Sequence, residues 1–268
     1  SGFVWTDRGR IVGNATVSRN APGSRHWFIS NVAVARPYRG RGIARQLMEA
    51  AIEYVREMRG RAISLQVRRD NAPAVHLYES LGFRRITAVS FFFMPRPLPV
   101  EPLPLPAGVV LRPHRLDVRD SRATYELARL SIPPHVQAEK PLLQSRFRLG
   151  SEIPFNNFWR ALAGLGRRKY WLVETQGGGR EVVGSLAVEP GLWHTEHRLA
   201  FMVHPAWRGR LEKPLISRAL AYLQTCRPSR PIAFRHTEEH AEGIEALQHF
   251  GFKIEKTHLW MKLELGKP

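Results

Sequence analysis

The sequence predicts an α/β fold with a mixed sheet, built twice in tandem, on three observations. Landmark residues recur at a constant offset, strands and helices alternate in the same order in each half, and a proline-rich stretch separates the halves. Tyr38-Arg39-Gly40-Arg41 returns as Trp207-Arg208-Gly209-Arg210, 169 residues later, and Leu81-Gly82-Phe83 returns as Phe250-Gly251-Phe252 at the same offset. Val32-Ala33-Val34 corresponds to Phe201-Met202-Val203, and Ile11-Val12-Gly13 to Val182-Val183-Gly184 after a slip of two residues. Landmarks so far apart share one offset only if a whole domain has been duplicated.

Each element has a local cause. Phe3 to Trp5 and Arg10 to Val17 read as hairpin strands around the Asp7-Arg8-Gly9 turn. Trp27 to Val34 is an apolar-leaning strand. Ile43, Leu47, Ala50, Ala51, Tyr54, Val55 and Met58 recur at helical spacing and predict an amphipathic helix over 43–58. Ala62 to Val67 reads as a strand, Ala72 to Ser80 as a helix ended by Gly82, and Ala88 to Met94 as a closing strand. Six prolines from Pro95 to Pro106 remove ladder donors and favour an extended path, so 95–106 is read as a semi-rigid linker between a first domain, 1–94, and a second, 107–268. The second half opens with elements that the first lacks: a strand at Val109 to Arg112 and helical stretches over Asp117 to Leu130 and around Leu142 to Leu149. The first domain is therefore expected to be incomplete at its N-terminus. Ser1-Gly2, without a methionine, reads as a cleavage remnant, and whether residues ahead of Phe3 complete the first domain is left open by the sequence.

Composition bounds the function. A hydrophobic fraction of 43% and a charged fraction of 24% are those of a globular protein. No apolar run approaches a membrane span, and the lone Cys226 cannot form an internal disulfide, so a cytoplasmic protein with no membrane partner is expected. The net charge of +18 is shared equally by the two halves. A diffuse basic surface attracts polyanions, but no nucleic-acid-binding motif accompanies it, which argues against dedicated nucleic-acid binding.

The run from Val32 through Arg39-Gly40-Arg41-Gly42-Ile43-Ala44 passes from a strand through a glycine-rich turn into a helix. Backbone N–H groups and the positive helix end there form a site for a phosphate or diphosphate, and Gly40 and Gly42 let the backbone approach without a Cβ in the way. Neither a Walker loop nor a dinucleotide fingerprint fits the spacing. Arg-x-x-Gly-x-Ala, from Arg39 to Ala44, resembles instead the pyrophosphate loop of the GNAT superfamily of acyl-CoA N-acyltransferases. The segment from Asn71 to Phe83, with its Gly-Phe ending, is similar to the helix that follows in that family. The resemblance covers residues 3 to 94; over 107–265 only the fold pattern matches.

The resemblance implies an acetyl-CoA-dependent N-acetyltransferase that moves the acetyl group to a primary amine by direct attack in a ternary complex. No metal is expected, and the protein is expected to be a monomer or homodimer. Val32 and Val34 lie where members hold the pantetheine arm between two splayed strands. N–H groups from Arg39 through Gly40, Arg41, Gly42 and Ile43 to Ala44 would take the pyrophosphate. Asn71 lies where a side-chain amide contacts the cofactor, and Tyr78 where a tyrosine donates to the departing sulfur. Each residue also has a plainer use: core valines, surface arginines, a helix cap at Asn71 and a core aromatic at Tyr78. Many members use a carboxylate as base on the preceding strand. Phe28-Ile29-Ser30-Asn31 offers none, so the base is unassigned. The first half also lacks the segments that wall the acceptor site in the family, so a non-catalytic acyl-CoA-binding or scaffold protein is the alternative.

At the offset of 169, Gly42, Ile43 and Ala44 become Leu211, Glu212 and Lys213, Asn71 becomes His240 and Tyr78 becomes Leu247. Glu212 beside a diphosphate would cost about 4 kcal/mol at 4 Å and an effective dielectric near 20. The second copy is therefore read as degenerate. His236-Thr237-Glu238-Glu239-His240 has the His-x-x-Glu-His spacing of some zinc peptidases, but that motif needs one continuous helix. The repeat puts it at a strand-to-helix junction, so no zinc site is expected. His194 and His197 are read as loop histidines.

Overall fold

The computed structural model describes residues 1–139, 141–147, 168–177, 179–192, 195–227 and 229–266. They form two units: Ser1–Val89 with Lys256–Pro268, and Ser90–Glu255.

In the first unit, β1 (Gly2–Asp7) and β2 (Arg10–Arg19) form the expected hairpin, with Arg8 and Gly9 both at positive φ in its turn. β3 (His26–Val34), α1 (Ile43–Glu57), β4 (Ala62–Arg68) and α2 (Ala72–Ser80) follow. α1 buries Ile43, Leu47, Met48, Ala51, Ile52 and Val55. The stripe read from the sequence includes Ile43, Leu47, Ala51 and Val55 but omits Met48 and Ile52, and its Ala50 and Met58 are exposed because the buried face is centred on the Met48–Ile52 side of the helix. Gly13 on β2 makes this packing possible. A Cβ there would lie 3.1 Å from side-chain atoms of both Ile43 and Leu47.

The sheet of this unit runs β1-β2-β3-β4-β11, and its last member comes from the far end of the chain. β11 (Lys253–Glu264) pairs antiparallel with β4, from His258 opposite Arg68 to Glu264 opposite Ala62. Leu259 and Met261 are buried in the core of this unit with Ile63, Leu65, Val67 and Phe83. The closing strand read from the sequence, β5 (Arg84–Met94), divides instead: Ser90–Met94 belongs to the second unit. There Phe92 and Met94 are buried in the core, Phe92 lying 6.4 Å from Phe234. The two halves have exchanged their final strands. The boundaries at 94 and 107 differ from the observed units because sequence patterns locate strands but not their pairing partners.

The second unit has the order β5-β10-β9-β8-β7-β6. β6 (Val109–Pro113) is followed by α3 (Val118–Ser131), whose N-cap Asp117 accepts from Asp120 N–H, and by the short α4 (Pro134–Glu139). A 3₁₀ turn at Gln144–Phe147 occupies part of the helical stretch expected around Leu142 to Leu149; the rest of that stretch lies outside the described residues. β7 (Lys169–Thr175), β8 (Val182–Glu189), β9 (His197–Val203), α5 (Glu212–Cys226), β10 (Ile232–Thr237) and α6 (Ala241–His249) complete it. Gly184 repeats the role of Gly13, since a Cβ there would meet Leu211 Cδ1 at 3.3 Å. Arg112 forks between Asp120, at 2.6 and 2.7 Å, and Glu174, tying β6 to α3 and β7.

The proline-rich segment is not a free spacer. Val100 and Leu105 pack on the core of the second unit, Leu103 N–H donates to Ser217 Oγ at 2.9 Å, and Gln224 Nε2 donates to Pro97 O. An extended proline path exposes its carbonyls and leaves alternate side chains free to seat on a helix, so the strap docks along α5. His197, read as a loop histidine, begins β9 and is fully buried. Its Nδ1 accepts from Gly191 N–H at 2.9 Å and its Nε2 donates to Arg227 O at 2.9 Å, so burial holds it neutral with its pKa lowered. His194 lies outside the described residues. No helix among the described residues is long and apolar enough to cross a membrane.

Candidate active site

The site lies in the first unit, where two parallel strands part. β3 pairs with β4 only over His26, Trp27 and Phe28, opposite Ala62, Ile63 and Ser64. Asn31 then takes a left-handed conformation, φ 52°, beside a register shift in the β2–β3 ladder, and its carbonyl accepts from Asn14 Nδ2 at 2.5 Å. This bulge turns the end of β3 away from β4. Ala35 N–H donates to Val12 O on β2, so strand alternation directs the Val34 N–H to the opposite edge. The opening is a cleft of about 520 Å³ walled by Val32 and Val34 on one side and by Asn71, Pro73, Ala74, Leu77 and Tyr78 of α2 on the other.

The glycine-rich turn closes one end of the cleft. Gly40 and Gly42 have φ of 76° and 78°, a region costly for any residue with a Cβ. Gly42 is the N-cap of α1 and leaves the first-turn N–H groups without a side-chain cap. Arg39, Gly40, Gly42, Ile43, Ala44 and Arg45 line the cleft, so uncapped donors and two cations face the same space. This donor set fits a diphosphate, and the long apolar-walled slot beyond it fits an extended thiol arm. Arg39 also donates from Nε to Val34 O at 3.0 Å, which fixes the turn against β3. Arg41 is placed differently: its guanidinium stacks on the Tyr38 ring at 5.3 Å, outside the lining of the cleft. Tyr38 is itself held by Asp7, to which its hydroxyl donates at 2.7 Å.

Asn71 is the N-cap of α2, accepting from Ala74 N–H at 3.4 Å, and also lines the cleft, so its plainer use and its proposed one coexist. Tyr78 is 7% exposed, packs 6.0 Å from Phe83 and lines the cleft. Burial raises its pKa above the ordinary 10.0, which keeps its hydroxyl protonated and able to donate. Among the described residues that line the cleft there is no aspartate, glutamate or histidine. Sequence reasoning missed Arg45 and the Asn31 bulge. The signal available for the second was an asparagine, tolerant of left-handed backbone, inside a strand.

In the second unit, the corresponding positions are filled from within. Gly209 keeps a positive φ, 78°, but Leu211 is helical at φ −102° where Gly42 is left-handed. Leu211 and Leu247 are fully buried. Glu212 is not exposed to an incoming anion, as the sequence reading had it; it is buried, with His240 Nε2 2.7 Å from its Oε1. Arg208, the counterpart of Arg39, donates to Ser131 O and Glu239 O. β8 and β9 pair without a register shift, so the bulge of the first unit is absent here. His236 is the penultimate residue of β10 and His240 is the N-cap residue of α6, the expected strand-to-helix junction.

His236 stacks 5.4 Å from Phe234, and burial lowers its pKa to about 3. The folded form therefore resists a proton that the unfolded chain accepts near 6.5. Stability is full above pH 6.5 and falls toward pH 3, by up to about 1.4 kcal/mol per pH unit. Urea midpoints measured from pH 7 to pH 4 are expected to drop more steeply for the parent chain than for His236→Phe; parallel curves would refute this.

Residues 1–83 match the model of the acetyltransferase (GNAT) family. Streptothricin acetyltransferase of Streptomyces lavendulae is 40% identical over 75 residues, which are 28% of this chain and 39% of that protein. The matched segment spans between 27% and 48% of the length of the first curated relatives. Two solved structures cover nearly the whole chain. A GCN5-related N-acetyltransferase from Sphaerobacter thermophilus superposes with a TM-score of 0.67 at 16% identity, over 97% of this chain and 78% of its own. A tandem GNAT protein from the clavulanic acid biosynthesis pathway gives 0.61 at 20%, over 100% and 83%. At such identities the likeness is one of fold, and it extends beyond the stretch that the family model matches. The chain is thus a tandem GNAT-fold protein whose GNAT family signature lies in residues 1–83.

Proposed function

We propose that the first unit is an acetyl-CoA-dependent N-acetyltransferase acting on a primary amine by direct attack. The observation that carries this is the cleft between β3 and β4, which joins the uncapped N-terminus of α1 to the buried Tyr78 hydroxyl side chain in one continuous space. Acetyl-CoA would supply an activated thioester carbonyl. The N–H groups from Arg39 to Ala44 hold its diphosphate, with the Arg39 and Arg45 side chains adding charge. Arg41 contributes backbone alone. Val32 and Val34 would present strand edges to the thiol arm, and the Val34 N–H would stabilise an oxyanion. Tyr78 donates to the departing sulfur.

A tyrosine near pKa 10 is a weaker acid than a thiol near 8.5, so full transfer is uphill by about 2 kcal/mol. Burial of Tyr78 increases that gap. The hydroxyl therefore acts as a hydrogen-bond donor whose proton moves late. Among the described residues that line the cleft there is no carboxylate or imidazole, which favours the second reading, an acyl-CoA-binding protein without turnover. In the transfer reading the acceptor enters as free amine or loses its proton to water. Thiol release from acetyl-CoA against a panel of amines separates the two readings: release that depends on an amine supports transfer, and tight binding with no release for any amine supports the second.

One acyl-CoA site per chain is expected, because Leu211, Glu212 and Leu247, the counterparts of Gly42, Ile43 and Tyr78, are buried in the second unit. Calorimetry with CoA should give a stoichiometry near one, and Gly42→Val should abolish binding. A stoichiometry near two, with one site surviving that substitution, contradicts the assignment.

A further inference from the structure

The second unit contains a cavity that the acyl-transfer reading does not use. It has a volume of about 190 Å³ and lies on the β7–β8–β9 face beneath α3 and the Gln144–Phe147 turn. Tyr170, Trp171, Leu186, Phe147 and Met202 give it aromatic and aliphatic walls, and among the described residues no lysine, arginine, aspartate or glutamate lines it. A cavity of roughly 150 Å³ with apolar walls holds a benzene ring, so a single substituted ring fits here.

One polar side chain in the lining is out of keeping with these walls. His114 is 1% exposed in its side chain. Leu116 N–H donates to its Nδ1 at 2.8 Å, which fixes the neutral tautomer with the proton on Nε2. Burial keeps the ring neutral by lowering its pKa, against a smaller opposing pull from Asp120. Nε2 is buried and has no hydrogen-bond partner among the described residues. A buried donor left unpaired costs free energy that an acceptor on a ligand would recover. The ring cannot turn away from its post, because Asp120 anchors the same turn through Arg112 and the Arg115 N–H.

We propose that this cavity is a binding site for a small uncharged molecule, the size of one substituted ring, that carries a carbonyl-type acceptor for His114 Nε2–H. Among the described lining residues none supplies a counter-ion for a buried carboxylate or amine, which favours an uncharged ligand. The site is independent of acyl-CoA, which the first unit takes.

Acetophenone and ethylbenzene are matched probes of this site, equal in size and differing in the acceptor. By ligand-observed NMR on the full chain, acetophenone is expected to bind about tenfold more tightly, equivalent to about 1.4 kcal/mol. Ala200 lines the cavity yet is exposed, so Ala200→Phe fills the space without disturbing a core position and should abolish binding of both. His114→Phe should remove the preference and leave ethylbenzene bound. In the unmutated chain, the Nε2–H resonance of one buried histidine should shift with acetophenone and not with ethylbenzene, which keeps the test intact if His114→Phe fails to fold. Absence of binding, equal affinities in the unmutated chain, or binding that survives Ala200→Phe overturns the proposal.

Discussion

Ending the chain after Glu255 is expected to abolish acyl-CoA binding, although every residue that lines the cleft remains. The truncation removes the seven residues that pair with β4 and takes Leu259 and Met261 out of the core of the first unit. Burial of two such side chains is worth about 3–6 kcal/mol, against a total of about 5–15 kcal/mol for a domain. The edge of β4 would also be left with unpaired backbone groups beside apolar side chains, a template for aggregation. Residues 1–106 expressed alone should be insoluble or inactive for the same reason. Calorimetry with CoA and amide exchange across β4 and α1 read the outcome. Unchanged affinity and unchanged protection in the truncated chain would show that β11 is dispensable. Met261→Asp in the full chain provides the graded version, with a smaller loss of protection confined to the same elements.

Tyr78→Phe is expected to lower turnover about 100-fold with little change in acetyl-CoA affinity, within the range for a positioned acid. The substitution keeps the ring, and with it the packing against Phe83 and the wall of the cleft. Only the hydroxyl goes. Its proposed partner carries charge in the transition state and not in the bound thioester, so the loss should fall on kcat and leave the dissociation constant alone. Equal turnover in parent and variant across pH would make Tyr78 a core aromatic and nothing more.

Much of this was legible in the sequence, for identifiable reasons. The strands, the helices and the glycine turn announce themselves through local pattern, and the 169-residue offset exposes the duplication. Of the residues singled out for the cleft, nine lie on its lining, and Arg41 does not because its side chain finds Tyr38 first. Two features were hidden. Strand exchange was invisible because β5 and β11 are equivalent by the repeat, and either can close either sheet without altering a local propensity. The docking of the proline segment was hidden because its composition is that of a spacer; only Val100 and Leu105, set between the prolines, hinted at a buried side. At Glu212 the residue type was plain, but its hydrogen-bonding neighbour His240 comes from an element 28 residues away in sequence.

The crossed closing strand also sets a timetable. Translation proceeds from the N-terminus, so the first 89 residues leave the ribosome well before the segment that completes their sheet. At about 5–20 residues per second, the wait between Val89 and Glu264, where β11 ends, is on the order of ten to thirty seconds. Throughout it the nascent first unit carries an open sheet edge, while the second can assemble as soon as its own residues emerge. Domains in tandem ordinarily mature in the order of their genes; here the earlier one must finish last, and it is the one that carries the cleft.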